Sequence, residues 1–94
     1  MRDERDVPLF DLGRIVATPA ALEVAGGQAS DFIQRHVRGS WEESPEEDRL
    51  ANHRAVLSGD ARILSVHRTE LGQIVWIITE ADRAITTLLL PSEY

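Results

Sequence analysis

The segment from Arg62 to Pro91 constrains the fold most, because it has the pattern of three consecutive β-strands. Its middle part, residues 73–80, is apolar at both sets of alternating positions, with Ile74, Trp76 and Ile78 on one side and Val75, Ile77 and Thr79 on the other. A strand with two apolar faces is typical of the centre of a sheet that is covered on both sides. We therefore predict a central strand here, with Trp76 in the core.

Two further strands flank the central one in the sequence. Residues 62–68 carry alternating apolar side chains, and residues 84–90 end at Pro91, which cannot continue a ladder of hydrogen bonds. Leu71-Gly72 and Ala81-Asp82-Arg83 provide the turns between the strands. The sequence therefore predicts a three-stranded antiparallel meander. Its last strand, Ile85–Leu90, is predicted to be an edge strand with few charges to discourage pairing with a second copy.

The first part of the chain carries the signals of a short strand and two helices. Residues 12–17 are apolar enough for a short strand. Thr18-Pro19 then predicts a helix that starts with a threonine cap, and Gly26-Gly27 predicts its end. A second helix is predicted from about Gln28 to Val37, because apolar residues recur there at helical spacing and Gly39 follows.

Ser44-Pro45-Glu46-Glu47 is the strongest helix-start signal in the chain. Ser44 is predicted to cap the third helix, Pro45 to take its first position, and Glu47 to complete a capping box. We expect this helix to end at Gly59 and to bury Leu50, Ala51 and Leu57, with His53 or Arg54 beside them.

These elements predict an α+β fold: a short N-terminal strand, three helices and a three-stranded antiparallel meander packed against the helices. The length of 94 residues suits one domain. Residues 1–10 are polar and without pattern, so we predict a flexible N-terminal tail, followed by a single α+β domain over residues 11–94.

Composition narrows the location of the protein. There is no cysteine, which excludes disulfides and thiolate metal sites and favours a cytoplasmic location. The charged N-terminus has no apolar stretch behind it, as a secretory signal would need. No run of about 18 apolar residues is present, so we expect no membrane contact. We also predict no cofactor, because no binding motif for one is present.

The charge is acidic and unevenly placed. The net charge is −6, every basic charge outside the three histidines is an arginine, and residues 1–48 hold eleven acidic residues against five arginines. Residues 49–94 are balanced, with five of each. Because an acidic domain is repelled by phosphate backbones, direct binding to nucleic acid is disfavoured.

Three histidines, His36, His53 and His67, are candidates for chemistry. No two of them have the four-residue helical spacing of a metal site, so we predict no metal. A metal-independent ribonuclease or toxin remains an alternative, in which His67 or Glu80 serves as general base and Arg83 stabilises the phosphorane. Hairpin-turn chemistry is the simpler interpretation of Glu80 and Arg83.

The tract from Trp41 to Asp48 contains five acidic residues in eight positions. A solvated helix start explains these acids without any function. As a functional hypothesis, the tract is an acidic patch for a basic partner, with Trp41 either an interface anchor or part of the core. The candidate partner-binding residues are Trp41, Glu42, Glu43, Glu46, Glu47 and Asp48.

Five strings in the chain resemble a family of short "plasmid-related" proteins found on proteobacterial plasmids, prophages and integrative elements. They are Gly13-Arg-Ile-Val-Ala-Thr-Pro, Arg35-His-Val-Arg-Gly-Ser-Trp, Glu47-Asp-x-x-x-Asn52, Arg62-Ile-Leu-Ser and Trp76-Ile-Ile-Thr-Glu-Ala-Asp-Arg83 with the following Thr86-Thr-x-Leu-Leu-Pro91. The resemblance covers residues 9–94, and the string at Trp76 is its most distinctive part. The family usually has Trp-Gly-Asp where this chain has Trp41-Glu-Glu.

The resemblance implies a cargo gene of mobile DNA. The leading hypothesis is thus a non-enzymatic, protein-binding accessory factor of a mobile element. In its specific form it is an acidic, anti-CRISPR-like inhibitor of a host defence nuclease, because an acidic face can mimic phosphates and meet a basic groove. The ribonuclease above and a homodimeric structural protein are the alternatives.

Overall fold

A four-stranded mixed sheet organises the chain in the computed structural model, which describes residues 7–94. The strands are β1 (Arg14–Ala17), β2 (Ile63–Arg68), β3 (Ile74–Thr79) and β4 (Ile85–Leu89), and the helices are α1 (Pro19–Ala25), α2 (Ala29–Arg38) and α3 (Glu46–Ser58). The predicted α+β class is confirmed.

The strands lie in the order β1-β4-β3-β2. β3 pairs antiparallel with β2 and with β4, whereas β1 pairs with β4 in parallel, with Arg14 opposite Ile85 and Ala17 opposite Leu88. The predicted three-stranded sheet is therefore wrong, because the N-terminal strand joins it as a fourth. Gly13 makes this approach feasible: its φ is +62°, and a Cβ there would lie 2.3 Å from the Ala84 carbonyl oxygen.

The interior position of β4 also corrects the predicted edge strand. β4 lies between β1 and β3, so its backbone hydrogen-bonding groups are already used on both sides. A homodimer formed by pairing through residues 85–90 is incompatible with this topology.

The helical part consists of two segments rather than the three separate helices predicted. α1 begins at Pro19, and the Thr18 hydroxyl accepts a hydrogen bond from the Ala21 amide at 3.0 Å, as the sequence predicts. A 3₁₀ turn over Gly26–Gln28 then joins α1 directly to α2, so that the two helices form one continuous helical segment without a linker. α2 ends at Gly39, which adopts a left-handed φ of +80°.

The second helical segment, α3, departs from the prediction in its cap and in its buried face. Pro45 is the N-cap residue, and the helix begins one residue later. Leu50 and Leu57, predicted to be buried, are 49% and 88% exposed, and the helix buries Asn52 and Ala55 instead. The reason is that α3 contacts the sheet mainly along strand β2, the edge strand, which leaves most of its circumference in solvent.

One face of the sheet carries the core. A first cluster joins α1 and α2 to the two inner strands through Ala21, Ala25, Phe32, Val75, Ile77 and Leu88. A second cluster, under α3, is formed by Trp41, Ala55 and Ile63, with Phe10 and Val56 packed against it. Trp41 is therefore a core residue, only 2% exposed.

The opposite face of the sheet is less covered than the two apolar faces of β3 predict. Ile74 and Trp76 on this face are half-buried, so the placement of Trp76 in the core is wrong. A 3₁₀ turn, Pro91–Glu93, packs near β3, and the Tyr94 ring lies 5.6 Å from that of Trp76. A short C-terminal segment thus lies where the sequence pattern predicts a full covering layer on this face of the sheet.

The predicted tail of residues 1–10 falls partly outside the described residues, which begin at Val7. Leu9 and Phe10 belong to the domain, because the Leu9 amide donates to the Val37 carbonyl at 2.8 Å and the Phe10 ring meets the edge of His36 at 5.2 Å. Over residues 7–94, no helix is long and apolar enough to cross a membrane.

Candidate functional site

The acidic segment, residues 42–48, is mostly exposed, but two buried side chains hold its first half in place. Trp41 precedes it and is buried, and its indole nitrogen donates a hydrogen bond to the His36 carbonyl at 2.9 Å. Ser44 is also buried, and its hydroxyl accepts from the Val66 amide at 2.9 Å. Trp41 therefore cannot serve as an exposed anchor for a partner. It fixes the start of the segment instead.

Most carboxylates of the acidic segment have no internal partner. Glu43 pairs with Arg68 at 3.2 Å. Glu42, Glu46 and Glu47 are exposed and Asp48 is half-buried, and none of these four forms an ion pair or hydrogen bond in the part of the chain that the structure describes. The last three lie in the first turn of α3, where the positive end of the helix dipole stabilises them. The segment thus presents a fixed group of negative charges to solvent.

A buried hydrogen-bond network lies beneath this surface and connects α2 with β2, β3 and β4. His36 Nδ1 is 2.5 Å from Ser65 Oγ, and His36 Nε2 is 2.8 Å from Thr79 Oγ1. Ser65 Oγ is 2.7 Å from His67 Nε2, and Thr79 Oγ1 is 2.7 Å from Thr86 Oγ1. All five side chains are buried. We call these residues the buried polar network.

The end of the network fixes the direction of its hydrogen bonds as far as His36. The Thr86 hydroxyl donates to the Leu12 carbonyl at 2.7 Å, so Thr86 must accept from Thr79. Thr79 then accepts from the Nε2–H of His36, whose Nδ1 is left to accept from Ser65. Ser65 in turn accepts from the Nε2–H of His67. The directions at Ser65 follow from neutral imidazoles, the state that burial favours, and each bond then points towards the Leu12 carbonyl.

Burial keeps both imidazoles neutral. Loss of hydration lowers the pKa of His36 from 6.5 to about 3, and the nearby His67 adds a smaller effect in the same direction. Burial likewise lowers the pKa of His67 from 6.5 to about 4, with Arg35 acting in the same direction and Asp31 and Glu43 opposing it. The ring of His67 also stacks on Phe32 at 5.1 Å. Such a histidine holds the core together and is poorly placed to exchange protons with a substrate.

The alternative catalytic residues do not come together. His67 pairs with Val75 near one end of β3, whereas Glu80 follows β3 at its other end. At about 3.3 Å per residue, the two are separated by roughly 16 Å along the strands. Arg83 lies in the β3–β4 turn with a left-handed φ of 60°, and its guanidinium donates to the carbonyls of Glu80 and Ala55. The arrangement lacks the shared site that a ribonuclease needs, and Arg83 acts as a clamp between this turn and the end of α3.

The remaining histidine, His53, is exposed on α3 and its ring lies 5.2 Å from that of Trp41. Among residues 7–94, no group of three histidine, aspartate or glutamate side chains is arranged to hold a metal ion.

A cleft of about 390 Å³ lies between α3 and the C-terminal residues, on the less covered face of the sheet. We call it the α3 cleft. It is lined by Asp48, Ala51, Asn52, Arg62, Leu64, Trp76 and Tyr94. Asp48 connects the acidic segment to this cleft. Other concave regions lie at the β3–β4 turn and between α1 and the β2–β3 turn.

Two features of the structure, the role of Asn52 and the buried polar network, are not predicted from the sequence. The side-chain oxygen of Asn52 accepts a hydrogen bond from the backbone N–H of Leu64 at 3.1 Å, and its side-chain nitrogen donates to the Leu64 carbonyl at 2.7 Å. These two bonds cover the free edge of β2. The signal for the network was present, because Ser65 and Thr79 are polar at inward positions of their strands. The signal could be interpreted only with the strand register and the helix that faces it.

Comparison with protein-family models, with curated proteins and with solved structures gave no match.

Proposed function

We propose that this protein is a non-enzymatic factor that binds a basic surface of another protein through its acidic segment. The observation that carries the proposal is the display of four carboxylates without internal partners, those of Glu42, Glu46, Glu47 and Asp48. Trp41 and Ser44 hold the backbone of the segment, so little conformational freedom is lost on binding. Because these charges have no internal partners to give up, they are available to an arginine- or lysine-rich surface.

The buried polar network supports a non-enzymatic role. Its two histidines are the groups best suited to general base catalysis, and both are at most 3% exposed. Their hydrogen bonds are directed to other residues of the core, and the proposed function requires no cofactor. Glu80 and Arg83 lie too far from His67 to complete a catalytic group, which disfavours the ribonuclease alternative.

The resemblance to plasmid-related proteins supports a more specific form of the proposal. In this form the protein is an accessory factor of a mobile element that occupies the nucleic-acid-binding surface of a host defence nuclease, as anti-CRISPR proteins do. Carboxylates held on a rigid surface resemble the phosphates of a nucleic-acid backbone in charge. Such a protein binds the basic groove of the nuclease and excludes its nucleic acid without binding nucleic acid itself.

Charge reversal tests the binding proposal. The purified protein is immobilised and exposed to a proteobacterial lysate, beside a variant that combines Glu42→Lys, Glu46→Lys and Glu47→Lys. A matched control combines Glu23→Lys, Asp60→Lys and Glu70→Lys, three exposed acidic residues outside the segment. We expect the wild type and the control to retain the same basic protein and the first variant to lose it. Equal capture by all three proteins would refute the proposal.

A competition experiment tests the more specific form. The captured protein is titrated with a labelled nucleic acid in the presence and absence of this protein. The inhibitor form predicts that the two compete, with competition weakening as salt is raised. A captured protein whose nucleic-acid binding is unaffected would exclude the inhibitor form and leave the binding proposal intact.

A further inference from the structure

The α3 cleft combines a carboxylate with two aromatic rings. Asp48 lines it from the first turn of α3, is half-buried, and has no ion pair or hydrogen bond within residues 7–94. The N-terminal end of α3 stabilises this carboxylate, but no cationic side chain among residues 7–94 pairs with it. Its position therefore favours an external cationic group.

The aromatic rings of the cleft provide a second cation-attracting surface. The rings of Trp76 and Tyr94 are 5.6 Å apart and inclined at 65°. The Arg62 guanidinium already lies 5.3 Å from the centre of the Tyr94 ring. This internal contact demonstrates that a guanidinium fits against an aromatic face at this end of the cleft. Trp76 and Leu64 give the cleft apolar surface for the methylene groups of a long side chain.

We infer that the α3 cleft receives an arginine or lysine side chain from the basic partner, with its charge beside Asp48 and its methylene groups on Trp76 and Leu64. This inference rests on the proposed function and names the point where the partner inserts. Asp48 belongs to both the acidic segment and the cleft, so one basic residue of the partner enters the cleft while its neighbours meet Glu46 and Glu47. The cleft volume of about 390 Å³ lies within the range of about 300–1,000 Å³ known for ligand pockets.

Charge complementarity favours this occupant over others. An anionic group could pair with Arg62, but it would meet the unpaired Asp48 and the exposed acids of the same helix turn. A wholly apolar side chain would bury Asp48 further without a partner. A cationic side chain with an apolar stem pairs its charge with Asp48 and places its stem on Trp76 and Leu64, while Arg62 keeps its contact with the Tyr94 ring.

The test is an NMR titration with a small probe in place of the partner. N-acetyl-arginine methylamide is added to the labelled protein, and N-acetyl-citrulline methylamide is the uncharged probe of the same shape. We expect the arginine probe to shift the indole N–H signal of Trp76 in a saturable way and to leave that of Trp41 unchanged, because Trp41 is buried. The citrulline probe is expected to bind about tenfold more weakly, since it lacks the charge.

Variants of two residues in the same helix turn sharpen the test. Asp48→Asn is expected to weaken the arginine probe about tenfold, and Glu46→Gln, outside the cleft lining, is expected to change its affinity much less. The amide spectra of both variants report whether the fold is retained. The inference is overturned if the two variants bind alike, if citrulline binds as well as arginine, or if inorganic phosphate shifts the Trp76 signal and the arginine probe does not.

This titration requires no partner, so its failure differs from a failure of the proposed function. Charge-dependent capture from the lysate without probe binding would overturn the inference about the cleft alone. Capture that does not depend on residues 42, 46 and 47 would overturn the proposed function, and with it the assignment of the cleft to the partner.

Discussion

At the scale of single residues, the defining feature is the one-directional chain of hydrogen bonds from His67 to the Leu12 carbonyl. Each member donates to the next, so removing any member after His67 leaves both a donor and an acceptor without partners. Networks of this kind are favourable only when every group is satisfied. The chain also joins Thr86, on β4, to the segment that precedes β1, which makes it part of the sheet architecture.

Thr86→Val tests the network with little change in side-chain shape. Valine cannot donate to the Leu12 carbonyl or accept from Thr79, so both groups become unsatisfied in the core. We expect the free energy of unfolding, measured by urea denaturation, to fall by about 2 kcal/mol.

The neighbouring residue provides the control for this substitution. Thr87 is half-buried on the other face of the sheet and makes no hydrogen bond through its side chain within the described residues. Thr87→Val should stay within about 0.5 kcal/mol of the wild type. Similar losses in the two variants would show that the network is not a significant source of stability.

At the scale of secondary-structure elements, α3 illustrates both the success and the failure of sequence-based prediction. The three C-terminal strands were predicted to within two residues at each end, because alternating apolar residues and turn residues are local signals. The capping pattern also located α3 correctly to within two residues. The prediction of its buried face is wrong. Leu50 and Leu57 fit a helical stripe, but the local pattern does not show that α3 lies at the edge of the sheet with Asn52 facing that edge.

The pairing of β1 with β4 likewise cannot be predicted from a local sequence pattern. The two strands are far apart in sequence, and only the assembled sheet brings Gly13 against Ala84. For the candidate site, exposure of Glu42, Glu46 and Glu47 follows from their charge, whereas the burial of Trp41 depends on contacts with α3 and Ile63.

Asn52→Ala tests how α3 covers the edge of β2. The substitution removes both hydrogen bonds to the Leu64 backbone, so that strand again presents a free amide and a free carbonyl. We expect a loss of about 2 kcal/mol in the free energy of unfolding. We also expect concentration-dependent association through the exposed edge, measured by size-exclusion chromatography with light scattering.

Arg54→Ala is the matched variant on the exposed side of the same helix. It should remain within about 0.5 kcal/mol of the wild type and elute at the same volume at every concentration. If Asn52→Ala behaves in the same way, another contact must protect the edge of β2.

At the scale of the whole molecule, the buried histidines couple stability to pH. The pKa values of His36 and His67 in the folded protein, about 3 and about 4, are below their unfolded value of 6.5. The unfolded chain therefore binds more protons in this range, and stability falls as the pH falls. The contribution of the two buried, neutral histidines to the free energy of unfolding is fully present above pH 6.5 and is lost progressively towards pH 4 and below.

We expect the free energy of unfolding to be about 2 kcal/mol lower at pH 5 than at pH 6, since each group contributes up to about 1.4 kcal/mol per pH unit. Urea denaturation at several pH values between 5 and 7.5 measures this slope. His53→Gln, which replaces the histidine outside the buried polar network, is the control variant. A wild-type stability that does not vary between pH 5 and 7 would contradict the neutral, buried state of the two imidazoles.

The interior position of β4 has a consequence for how the protein is made. Translation produces this strand last, yet β1 on one side and β3 on the other both depend on it. Until residues 85–89 have left the ribosome, the nascent chain can form only helices and the β2–β3 hairpin, and the apolar side chains of α1 and α2 lack Leu88 and the β1–β4 part of the sheet. The complete sheet therefore forms late, when segments that are distant in sequence meet, and until then the unfinished chain leaves apolar surface open to aggregation.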